Sequence, residues 1–86
     1  MPLATIVMMM MNKELQKIFE LVVENAKANT GTTCFELVVD GGLPSMYFYV
    51  MNKDGSIKKH CHSYLFGDSK GYEAMKKILQ ETKNEA

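Results

Sequence analysis

From Asn12 to Ala28 the apolar positions recur at helical spacing. Leu15, Ile18, Phe19, Val22 and Ala26 fall on one side, and Lys13, Gln16, Lys17, Glu20, Glu24 and Lys27 on the other. The spacing predicts an amphipathic helix with Asn12 as N-cap and Glu14 in the first turn, where a carboxylate complements the helix dipole. Asn29-Thr30-Gly31 ends it, Gly31 taking the left-handed conformation. At Thr32 the pattern switches to alternation. Thr33, Phe35, Leu37 and Val39 point one way, and Cys34, Glu36, Val38 and Asp40 the other, as in a β-strand. The loop Asp40-Gly41-Gly42-Leu43-Pro44-Ser45 follows, then strands over Met46 to Asn52 and Ser56 to about Tyr64. Asp68 or Ser69 caps a second helix, whose apolar stripe is Tyr72, Met75, Ile78, Leu79 and Thr82.

The α-β-β-β-α order predicts a two-layer α+β sandwich, a three-stranded antiparallel meander with both helices on one face. The opposite sheet face then lies open to water or to a partner. Which side chains it displays depends on the turn Asn52-Lys53-Asp54-Gly55. A two-residue Asp54-Gly55 loop sets Met51 opposite Lys58, Tyr49 opposite His60 and Tyr47 opposite His62. A three-residue Lys53-Asp54-Gly55 loop slips the pairing by one and moves both histidines to the side of Phe48 and Val50. The bulged turn suits the local chemistry. The two-residue loop separates apolar from polar side chains more cleanly, and a slip turns every side chain of a strand to the wrong face. Segregation therefore decides, and the open face is expected to carry Tyr47, Tyr49, Met51, Lys58, His60 and His62.

Residues 12–86 make one domain, since 86 residues support a single modest core. Residues 1–11, MPLATIVMMMM, are apolar but too short to span a bilayer, and they lack the basic start and small-residue cleavage site of a signal peptide. Three explanations stand: an extra edge strand over Leu3 to Met8, an apolar arm docking on a partner or a second copy, or an upstream start codon before one near Met11. A cytoplasmic protein without a membrane segment is expected.

Ten lysines balance ten acids, and the chain has no arginine. That composition argues against a general polyanion binder, which needs several phosphate-neutralising cations. The element order resembles that of the double-stranded-RNA-binding domain, but the resemblance stops at order. That family's lysine-rich start to the second helix is here Ser69-Lys70-Gly71-Tyr72-Glu73, a single cation with an acid nearby.

Cys34 and Cys61 both fall in predicted strands, which favours reduced, buried thiols over a disulfide. His60 and His62 share a face and could chelate an ion together, yet Cys61 points away and no further ligands complete a zinc site. Neither histidine can reach Cys61 as a base, and no catalytic triad order or phosphate loop is present. The expectation is a non-catalytic module without cofactor or metal. It binds a larger protein or itself through Tyr47, Tyr49, Met51, Lys58, His60 and His62, in the manner of inhibitors (phage-type ones among them), immunity proteins or adaptors. The alternative is a domain that binds RNA or another single-stranded nucleic acid with the same face.

Overall fold

The computed structural model describes residues 3–29, 31–39 and 42–85, with side chains from residue 13 onward. Both amphipathic segments are helices and all three alternating segments are strands. The order is α1 (Leu3–Ala28), β1 (Thr33–Val38), β2 (Ser45–Met51), β3 (Ile57–Tyr64) and α2 (Ser69–Asn84). The strands form an antiparallel sheet in the order β1-β2-β3, with β2 central. The fold is thus the expected α+β meander. Asp40 and Gly41, part of the predicted loop, lie outside the described residues.

The core draws equally on three elements. Leu15, Ile18 and Leu21 come from α1, Met46, Phe48 and Val50 from β2, and Tyr72, Met75 and Leu79 from α2. Every second residue of β2 faces the helices, and those three side chains are 0%, 1% and 8% exposed. The other face of the strand carries no helix.

Two expectations about α1 are corrected. The helix starts at Leu3, so no edge strand forms over Leu3 to Met8 and Asn12 is interior rather than an N-cap. Leu, Ala and Met are strong helix formers, and no Gly or Pro interrupts residues 3–12, so an existing helix extends through them. Glu14 consequently sits far from the N-terminus, where it pairs with Lys76 of α2 at 2.7 Å. The buried stripe is also rotated. Leu21 and Asn25 are buried where Phe19 and Ala26 were expected, and Phe19 is 37% exposed.

Asn25 is the polar member of the rotated stripe. At 1% exposure its amide donates to the carbonyls of Leu21 at 2.9 Å and Leu79 at 2.8 Å, tying α1 to α2. Its own carbonyl oxygen accepts from Asn29, 3.3 Å away. A buried amide satisfied in this way fixes the helix pair at one depth and one rotation. The ion pairs Lys76–Glu14 and Lys83–Glu24 close the outside of the same seam.

At the start of α2, Asp68 is the N-cap. Its carboxylate accepts from Gly71 N–H at 2.8 Å and from Tyr64 N–H at 3.1 Å, joining the end of β3 to the helix. Those two hydrogen bonds, the one from Gly71 first, hold the Asp68 carboxyl below the usual carboxylate range. Gly71 is required by this contact, because a Cβ there would lie 2.5 Å from Ser63 Oγ and collide with the Asp68 carboxylate.

Candidate functional site: the open face of the sheet

The β2–β3 hairpin combines both turn geometries that its sequence allows. Gly55 N–H donates to Asn52 O at 3.0 Å, Asn52 N–H donates to Ser56 O at 2.8 Å, and Gly55 adopts φ +89°. That is the three-residue loop with a left-handed glycine. Asp54 stiffens it by accepting from the Ser56 backbone and hydroxyl at 2.9 and 2.6 Å. Met51 accordingly opposes Ile57 rather than Lys58. One step further along, a β-bulge leaves Lys58 without an opposite residue, and the pairing resumes as Val50↔Lys59. The slip made by the turn is cancelled by the bulge, so Tyr49 opposes His60 and Tyr47 opposes His62.

The open face therefore gathers five of the six expected residues: Tyr47, Tyr49, Met51, His60 and His62. Lys58 is the exception. It has no opposite residue on β2 and borders a hollow with Met51, Thr82 and Glu85, while its neighbour Lys59 pairs with Glu85 at 3.2 Å. Six further residues share the face: Cys34, Glu36 and Val38, opposite Tyr49, Tyr47 and Ser45, together with Ser45 itself, Ile57 and Tyr64. Tyr64 was legible from the alternation His60, His62, Tyr64. Ile57 was hidden by the bulge, and Cys34 and Glu36 by the unknown β1–β2 register.

Five rings form a continuous aromatic surface across β2 and β3. His62 lies between Tyr47 and Tyr64, at centroid distances of 4.8 and 4.9 Å. Tyr47 and Tyr49 are 6.3 Å apart with planes within 6° of parallel, and Tyr49 and His60 are 6.5 Å apart within 7°. Beyond His60, a shallow hollow is lined by Cys34, Glu36, Tyr49, Met51, Gly55 and Ile57. At the other end Leu43, Pro44, Tyr64 and Phe66 border a second hollow, with Leu43 71% and Phe66 59% exposed.

Both cysteines are free thiols. Burial, and secondly the Glu36 carboxylate, push the Cys34 thiol above its ordinary value, and Cys34 Sγ lies 3.7 Å from Glu36 Oε1. Burial likewise pushes the Cys61 thiol up, on the covered side where it packs against the core. A nucleophilic cysteine needs the opposite shift. Burial first, and then Glu36, raise the Tyr49 hydroxyl as well, so it stays a neutral hydrogen-bonding group. Among the described residues no three His, Cys, Asp or Glu side chains are placed to hold a metal ion, and no helix is long and apolar enough to cross a membrane. Glu36 is the single carboxylate among the described strand residues paired on this face, and no lysine is paired there. No protein-family model, curated protein or solved structure matches the chain.

Proposed function

We propose that the chain is a small non-catalytic protein-binding module that docks on a larger protein through the open sheet face, occluding or bridging that partner. The observation that carries this reading is the uninterrupted Tyr64–His62–Tyr47–Tyr49–His60 ring surface, uncovered by either helix and with no lysine paired within it. Tyrosine provides wide contact area with few rotatable bonds and dominates the energetics of many interfaces. Met51 and Ile57 at one end, and Phe66 at the other, extend the apolar footprint.

The near-parallel planes of Tyr47, Tyr49 and His60 favour a second reading, a stacking platform for single-stranded nucleic acid. Electrostatics weigh against it. Lys59 pairs with Glu85 at the C-terminal end of α2 and Lys58 drops out of the ladder at the bulge, so the one charged residue paired on the face is Glu36, which repels phosphate.

The test is retention of a protein partner from host extract by the wild type, compared with Tyr47→Ala and Tyr49→Ala variants. Each truncation should weaken the retained complex by about 1–2 kcal/mol, roughly 5- to 30-fold in Kd, with the chain still folded and its stability lowered by no more than about 1 kcal/mol. Retention indifferent to both substitutions would overturn the reading. Tight binding to single-stranded RNA that falls steeply with added salt would favour the second one.

A further inference from the structure

We propose that the chain pairs with a second copy of itself along the outer edge of β1, antiparallel and with Phe35 on the two-fold axis. This does not depend on what the aromatic face binds.

The sheet order leaves one free edge on β1 and one on β3. The β3 edge carries the usual safeguards against strand addition, a bulge and the adjacent Lys58 and Lys59. β1 has none of them. Thr33–Val38 pairs with β2 in unbroken register and contains neither proline nor lysine. Met51 N–H donates to the carbonyl of Thr32, its direct opposite, at 2.8 Å. Hydrogen-bonded pairs alternate along an antiparallel ladder, so Cys34 and Glu36 turn their backbone groups to β2. Thr33, Phe35 and Leu37 direct theirs outward, toward whatever lies beyond the edge.

Opposed residues must share a sheet face, so the two-fold axis falls on a residue, and Phe35 and Glu36, the central two of β1, give the longest overlap. Centring on Glu36 sets two carboxylates against each other, which is unfavourable. Centring on Phe35 brings each Glu36 opposite Cys34 of the second copy, the same pairing of groups that already meets within one chain. Leu37 then faces Thr33, and all the outward backbone groups of the three residues are bonded.

The helical layer supplies the apolar part of this contact. Leu15, Phe19 and Val23 follow one another at one-turn spacing along an open groove on α1, whose other lining residues are Gln16, Glu20 and Glu24. The Phe19 ring meets Phe35 of β1 edge-on at 6.0 Å. Phe19, Val23 and Leu37 are 37%, 54% and 51% exposed, an apolar margin that an isolated molecule leaves in water. A two-fold axis through Phe35 brings an identical margin against it. The product is a continuous six-stranded sheet whose two aromatic faces lie side by side.

The experiment combines sedimentation with directed cross-linking of the full chain. Wild type should sediment at twice 9.7 kDa at about 100 μM, a concentration at which micromolar dimers are formed. Leu37→Pro removes one outward N–H and no bond to β2, so it should give a folded monomer. For Glu36→Cys, oxidation by diamide should link two chains through the introduced thiol and Cys34, and adding Cys34→Ser should abolish that link. A monomeric wild type, a dimer unaffected by Leu37→Pro, or a cross-link that survives Cys34→Ser would each overturn the proposal.

Discussion

Adjacent residues of β2 live in opposite worlds. Met46, Phe48 and Val50 point into the helical layer and are essentially sealed from water, whereas Tyr47, Tyr49 and Met51, one peptide bond away, stay half-buried under nothing but each other. The covered side is held by close packing, a satisfied amide at Asn25 and ion pairs between the helices. The open side is held by neighbouring rings alone. One side therefore carries the packed core, and the other keeps its rings at the surface.

The largest effect expected from this contrast is in Phe48→Ala, which should cost about 3–5 kcal/mol through lost burial and a residual cavity. Tyr49→Ala, on the adjacent residue, should cost no more than about 1 kcal/mol. Urea denaturation of both variants compares them directly, and equal losses would erase the distinction between the faces.

Asn25→Ala should lower stability by about 1–3 kcal/mol, because Leu79 O loses its donor inside the seam and a gap is left. Hydrogen exchange at α2 should accelerate with it. Unchanged exchange there would mean that apolar packing alone fixes the helix pair.

The Asp68 cap sharpens the contrast through pH. Its carboxyl is depressed in the folded chain, so its contribution is complete above the ordinary carboxylate pKa of about 3.9 and is lost as pH falls through the lower folded value. Asp68→Ala should cost about 0.5–2 kcal/mol at pH 7 and progressively less below about pH 4. Thermal unfolding followed from pH 7 down to 2.5 checks this, and a penalty independent of pH would refute the assignment.

The smallest effect is expected from deleting Lys58. Ile57 would still oppose Met51 and Lys59 would still oppose Val50, so the sheet would lose its bulge and keep its faces. A change within about 1 kcal/mol in denaturation is expected. A collapse in stability would mean that the bulge itself is required.

The elements were legible because they are local. Helical and alternating periodicities placed all five within a few residues, the one exception being the start of α1, where an apolar run of helix formers prolongs the helix past Asn12. The aromatic members of the candidate site were legible too, since Tyr47, Tyr49, His60 and His62 follow from alternation once the hairpin register is assigned. The path to that register was not legible. Sequence chemistry favoured the three-residue turn, side-chain segregation favoured the opposite pairing, and the bulge at Lys58 satisfies both.

Composition and periodicity by themselves determined an α+β meander, its helical stripes and the aromatic character of one strand face. Tertiary structure alone decided that Asn25 replaces Ala26 in the core, that Lys58 drops out of the ladder, and that Glu36 and Cys34 enter the open face. The physical reason is that a helix or strand records only its own period. Depth, rotation and register are settled where two elements meet, by hydrogen bonds such as Asn25 to Leu79 and by a single extra residue between paired strands.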